Sequence, residues 1–135
     1  MANDKTAIVT GAGTGVGKSV ATALLKNGWN TVFCGRRKPL LEAAIAEAGP
    51  AEAGTLAVAC DITRPGQVDA LFAETAKRFG RVDLLFNNAG MGYKSAPIDE
   101  IPVEVWNDVV AVNLTGPFLC ARAAFAAMRR QNPMG

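Results

Sequence analysis

The chain has 135 residues, half of them apolar, enough for one domain with a single core and too few for two ordinary ones. Its 14 Lys and Arg against 12 Asp and Glu give a net charge of +2 with the signs interspersed, which excludes the basic stripe that nucleic acid or an anionic membrane requires and leaves a small molecule as the expected partner. Histidine is absent, so histidine triads, His-liganded zinc and histidine general-base chemistry are excluded within this chain.

Met1-Ala2-Asn3-Asp4-Lys5 lacks the basic-then-apolar layout of a secretion leader. No stretch approaches the ~20 consecutive apolar residues of a membrane span, so a cytoplasmic protein is expected. Four short apolar runs follow, Thr6 to Val9, Thr31 to Cys34, Leu56 to Cys60 and Val82 to Phe86, and they alternate with longer stretches of helical period. That alternation predicts a parallel βαβ sheet. After the first run, Val20, Ala21, Leu24 and Leu25 share a helical face, and Gly28 stands where a left-handed cap is wanted. After the second, Leu40, Leu41, Ala44, Ile45 and Ala48 form a face that ends at Gly49-Pro50, because proline cannot continue a helix. After the third, Thr63 and Pro65 mark a start, Val68, Leu71, Phe72, Thr75 and Phe79 make the stripe, and Gly80 is the stop.

Beyond the fourth run come Asn87-Asn88-Ala89-Gly90 and a loop to Pro102. A helix on Val105, Trp106, Val109 and Val110 is predicted next, then another from about Pro117 with Phe118, Ala121, Phe125 and Met128 on one face. Cys34, Cys60 and Cys120 are widely spaced in apolar surroundings, which fits buried thiols; neither a disulfide framework nor a metal site is expected.

Right-handed crossovers in the doubly wound order place the strands as 3-2-1-4, with the fourth at an open edge. Leu84, Leu85 and Phe86 in succession suit instead a strand flanked by neighbours, and the last crossover helix delivers no strand. Residues 1–135 are therefore expected to be one domain and the N-terminal portion of a longer fold.

Thr10 to Ser19 reads TGAGTGVGKS, a glycine-rich turn after a strand, and such a turn is built to hold phosphate at a helix N-terminus. Gly17-Lys18-Ser19 looks like the end of a P-loop for nucleoside triphosphates, although Ala12 holds its first glycine slot. Asp61 after the third strand would supply that reading's metal ligand and keeps it open. The familiar dinucleotide spacing Gly-x-Gly-x-x-Gly fails because Val16 fills its third slot, whereas Thr10-Gly11-x-x-x-Gly15-x-Gly17 fits another spacing.

At this point the chain resembles the short-chain dehydrogenase/reductase family, whose fingerprint is Thr-Gly-x-x-x-Gly-x-Gly. The resemblance continues in Asp61 with Ile62, in Asn87-Asn88-Ala89-Gly90 and in Val112-Asn113-Leu114-Thr115-Gly116, and it spans nearly the whole chain. It implies a Rossmann-type doubly wound parallel α/β sheet flanked by helices on both faces. It also implies that Gly11 and Thr14, Gly15, Val16 and Gly17 line a pyrophosphate, that Asp61 and Ile62 meet adenine, and that Asn88, Ala89 and Gly90 lie along the adenosine ribose and support the sheet. Asn113 matches the family's catalytic-tetrad asparagine, which helps hold a water in a proton relay. Singly, each motif has a plainer reading: Asp61 as a turn cap, Asn87-Asn88 as an ordinary turn, Asn113 as a break between helices.

An acidic residue closing the second strand binds both ribose hydroxyls in NAD enzymes, and NADP enzymes replace it with space and positive charge. Here that strand ends Cys34-Gly35-Arg36-Arg37-Lys38, so a 2′-phosphate would meet Arg36 and Arg37, and NADP(H) is expected over NAD(H). Family resemblance implies reversible hydride transfer with a carbonyl or alcohol substrate, by a homodimer or homotetramer. Its Ser and Tyr-x-x-x-Lys would lie beyond residue 135, in a longer single-domain enzyme. Tyr93 and Lys94 are adjacent and cannot face one site as that spacing requires, so they are read as part of a loop. A non-catalytic dinucleotide-binding module is one alternative, and an NTP-hydrolysing switch built on the P-loop reading is the other.

Overall fold

The computed structural model describes residues 3–135; Met1 and Ala2, the start of the leader reading, lie outside the described residues. Strands β1 (Thr6–Thr10), β2 (Asn30–Gly35), β3 (Thr55–Ala59) and β4 (Leu84–Phe86) form one sheet in the order β3-β2-β1-β4, all parallel. This is the predicted doubly wound order. Successive residues of a strand point to opposite faces, and the core divides accordingly. Ile8, Val32 and Val58 meet Val68, Leu71 and Phe72 of helix α3 (Pro65–Phe79) on one face. Val9 and Phe33 meet Ala21 of α1 (Gly15–Lys26) and Leu41 and Ala44 of α2 (Lys38–Ala48) on the other. Strands covered on both faces explain why the runs read as continuous rather than alternating hydrophobics. Gly80 ends α3 in the left-handed conformation, φ 80°, its N–H returning to the Ala76 carbonyl.

After a single 3-10 turn at Ile98–Glu100, the two helices expected next are one rod. Helix α4 (Val103–Val110) runs through a π turn (Ala111–Thr115) into α5 (Gly116–Arg130). Pro117 supplies the physical reason: it has no N–H for the carbonyl four residues back, Asn113, and its ring would strike that carbonyl in a regular α turn. Widening the turn by one residue removes the clash, and the Gly116 N–H donates to Ala111 O, five residues back. By length and composition the rod, Val103–Arg130, is long and apolar enough to cross a membrane.

The face it lays on the core also differs from the expected one. Gly116, Cys120 and Ala124 are buried, while Phe118 and Phe125 are 60 % and 67 % exposed. Small residues let the helix axis come close: a Cβ at Gly116 would lie 2.6 Å from Ile62 Cδ1. Of the expected stripe, Met128 packs against the core.

β4 is shorter than its apolar run and forms the open edge. Before it the carboxamide of Gln131 pairs with the backbone of Val82, accepting its N–H at 2.9 Å and donating to its O at 2.7 Å.

Candidate functional site

The loops that leave the four strands converge at the carboxyl end of the sheet, where an open parallel sheet divides its crossovers between faces and leaves a crevice. A cavity of about 880 Å³ opens there. Gly11, Thr14, Arg36, Arg37, Asp61, Ile62, Ala89 and Gly90 line it, eight residues brought together from all four loops. Gly15, Val16, Gly17, Asn88 and Asn113 are outside its lining. Asn88 and Asn113 border a neighbouring depression of about 660 Å³ that shares Ala89, Gly90 and Met91 with the larger cavity.

The glycine turn is shaped by what it must approach. Gly15 takes φ 57°, which an L side chain rarely adopts, and no heavy atom lies within 4 Å of where its Cβ would be. Gly17 is the opposite case: it is buried, and a Cβ there would collide with the Gly11 carbonyl and the Asn88 carboxamide. Thr10 ties this turn to the loop after β4. Its hydroxyl accepts the N–H groups of Asn88 and Ala89, each at 3.0 Å, and donates to Phe86 O at 3.4 Å. Asn88 turns its carboxamide to Thr10 O and Gly11 O, at 3.2 and 3.4 Å. Asn113 accepts the Met91 N–H at 2.8 Å and donates to Met91 O at 2.7 Å, so its side chain clasps the loop.

Asp61 is the one carboxylate among the predicted residues. It accepts the Thr63 hydroxyl at 2.7 Å and the Thr63 N–H at 3.0 Å, and the hydroxyl contact above all holds its carboxyl below the usual range, with Arg36 and Arg64 adding to the effect. Among the thiols, hydrogen bonding to Cys60 and burial push Cys34 up and burial pushes Cys120 up to about 12, whereas the hydrogen bond with Cys34 brings Cys60 below the usual thiol value. Lys18 pairs with Glu47 and is not part of the cavity wall, and among the described residues no group of metal-ligating side chains gathers. Tyr93 is 44 % exposed in the loop and lines neither cavity.

Three participants escape a reading of the sequence. Thr10 is recognisable there only as the first letter of the turn, Arg64 only as a charge at a helix start, and Met91 only as a loop residue. Arg64 nonetheless lines the cavity, with Nε 3.6 Å from Asp61 Oδ2.

The family described as short chain dehydrogenase matches residues 5–134. A short chain dehydrogenase/reductase of Colletotrichum higginsianum is 39 % identical over 92 % of this chain and 46 % of its own length, and D-beta-hydroxybutyrate dehydrogenase of Rhizobium meliloti is 35 % identical over 94 % and 50 %. Among solved structures, levodione reductase superposes with a TM-score of 0.90 at 33 % identity, over 97 % of this chain and 52 % of its own. A metagenomic short-chain oxidoreductase in complex with NADP gives 0.88 at 32 %, over 94 % and 57 %. A 3-ketoacyl-(acyl-carrier-protein) reductase from Brucella melitensis complexed with NADH gives 0.86 at 36 %, over 93 % and 50 %. The chain spans about half the length of most of these relatives. With a family match over nearly every residue and a Rossmann sheet whose loops meet at one cavity, the chain belongs to the short chain dehydrogenase family and carries its NAD(P)-binding fold.

Proposed function

We propose that the chain is the cofactor-binding, N-terminal portion of an NADP-dependent oxidoreductase that moves hydride reversibly between nicotinamide and a carbonyl or alcohol carbon of a small molecule. The observation that carries the cofactor preference is the end of β2. Gly35 puts no carboxylate there, and Arg36 and Arg37 follow in the cavity wall. A 2′-phosphate at that strand end gains charge-assisted hydrogen bonds, and no acidic side chain of the strand opposes it.

The turn fits a pyrophosphate: it leaves open space beside Gly15 at the start of a twelve-residue helix while drawing Gly17 tight against Gly11. We assign Gly11 and Thr14 to Gly17 to that group, Asp61 and Ile62 to the adenine, and Asn88, Ala89 and Gly90 to the ribose side. When bound, the nicotinamide supplies the hydride acceptor or donor. Asn113 holds the Met91 loop with its side chain, and its carbonyl faces no N–H at Pro117; we assign that carbonyl to the water of a proton relay. The Ser and Tyr-x-x-x-Lys of that relay are proposed to follow residue 135.

The test is titration of the full chain with NADPH and NADH, followed by Arg36→Ala. NADPH is expected to bind about tenfold tighter or more, with the substitution collapsing the difference. Equal affinities, or an unchanged ratio in the variant, sink the cofactor assignment. The same reading includes a cytoplasmic homodimer or homotetramer. Free thiols at Cys34, Cys60 and Cys120 support a reducing compartment, which cell fractionation checks, and the exposed Phe118 and Phe125 support association.

A further inference from the structure

Beside Arg36 the cavity wall also holds Asp61, an anion that competes with any phosphate for that arginine. The carboxylate cannot swing away. One oxygen is engaged by the Thr63 hydroxyl and N–H, and the Asp61 N–H donates to Gln67 Oε1 at 2.7 Å. Like charges facing the same cavity repel, and the repulsion falls only if a cation is shared or added.

Arg64 is that added cation. Its Nε lies 3.6 Å from Asp61 Oδ2, on the oxygen that Thr63 leaves free. It sits at the N-cap of α3 in extended conformation, φ −108° and ψ 110°, as a residue before proline must, and its side chain makes no capping hydrogen bond. That side chain is 70 % exposed, so packing does not call for an arginine here.

We propose that Arg64 is a specificity-determining residue for the nucleotide's 2′-phosphate and acts through Asp61, occupying the carboxylate so that Arg36 is released to the phosphate. It is a positioning residue rather than a contact, and the inference rests on the assignment of the 2′-phosphate to Arg36. Asp61 is charged at neutral pH, since its carboxyl is held low by Thr63 and the two arginines, so the competition operates under ordinary conditions.

Two probes that differ only in the 2′-phosphate test it: adenosine 2′,5′-bisphosphate and adenosine 5′-monophosphate, titrated calorimetrically into the full chain. Arg64→Gln is expected to weaken the bisphosphate about two- to fivefold, the range of a solvent-facing ion pair, and to leave the monophosphate unchanged. Asp61→Asn keeps the oxygen that accepts from Thr63 and removes the charge. In that background Arg64→Gln is expected to cost nothing further, the signature of two residues acting as one unit. Equal losses for both probes would mean a structural role at the start of α3 and would overturn the proposal. No loss, or the same loss in the Asp61→Asn background, would also overturn it. A wild-type chain that binds both probes equally, or Arg36→Gln that leaves their ratio intact, refutes the cofactor assignment itself. If Arg36→Gln collapses the ratio while Arg64→Gln does nothing, only the role of Arg64 fails.

Discussion

Thr10 shows how much one hydroxyl carries at this site. The residue is fully buried, and its oxygen is the acceptor for two backbone N–H groups of the loop after β4. Valine has nearly the same shape and offers no acceptor, so Thr10→Val is expected to cost about 1 kcal/mol or more, the penalty for the part-buried Ala89 N–H left unpaired, while the Asn88 N–H keeps Phe86 O at 3.0 Å. Serine restores the oxygen and should recover most of that. Urea unfolding of the three chains checks it, and a valine variant as stable as wild type would show that water satisfies the Ala89 amide. Thr10 was legible as a motif letter because its neighbours Gly11, Gly15 and Gly17 follow at fixed spacing. Its partners were not, since Asn88 lies 78 residues along the chain and no local pattern links the two. Arg64 was hidden for the same reason: only the folded loop sets it against Asp61.

Among the elements, the strands and the first three helices follow from patterns contained within each segment, and their order follows from handedness. The rod from Val103 to Arg130 does not, because two conflicting signals share it. Val112, Asn113 and Thr115 are poor helix formers and Pro117 forbids an α turn, which reads as a break; the π turn resolves the conflict without one. Large side chains point to the wrong face of α5, because close approach to Ile62 selects the small residues Gly116, Cys120 and Ala124. What remains outside is a ridge of Val103, Trp106, Leu114, Phe118 and Phe125, each at least 60 % exposed. Large exposed apolar ridges mark association surfaces. Sedimentation of the full chain is expected to show a dimer or tetramer, and the double substitution Phe118→Glu with Phe125→Glu to yield monomer with unchanged circular dichroism. An unchanged oligomer would place the ridge against some other part of its own chain.

At the scale of the molecule, the end of the sheet opposite the cavity is sewn by charge. Asp83 accepts the Thr6 N–H at 2.9 Å and Arg81 Nε at 2.8 Å, and Arg81 reaches on to Pro133 O at 3.1 Å. One carboxylate thus joins the start of β1, the approach to β4 and the last residues of the chain. With its side chain only 11 % exposed, it is held below the usual carboxylate range by Arg81 first and by the Thr6 N–H, against the opposing effect of burial. A carboxyl whose folded pKa lies below its unfolded value adds stability above the unfolded value, about pH 4, and loses that contribution as pH falls through the folded one. Asp61 shifts in the same direction, so wild type alone cannot separate them. Asp83→Asn can: it keeps one acceptor for Thr6 and gives up the charge. The variant is expected to be less stable by about 1–2 kcal/mol at pH 7, with the gap closing toward pH 3 as the wild-type carboxylate takes up its proton. Urea midpoints across that range measure it. A gap that persists at pH 3 would assign the loss to hydrogen-bond geometry and not to charge, leaving Arg81 with no electrostatic part in holding the two ends of the chain together.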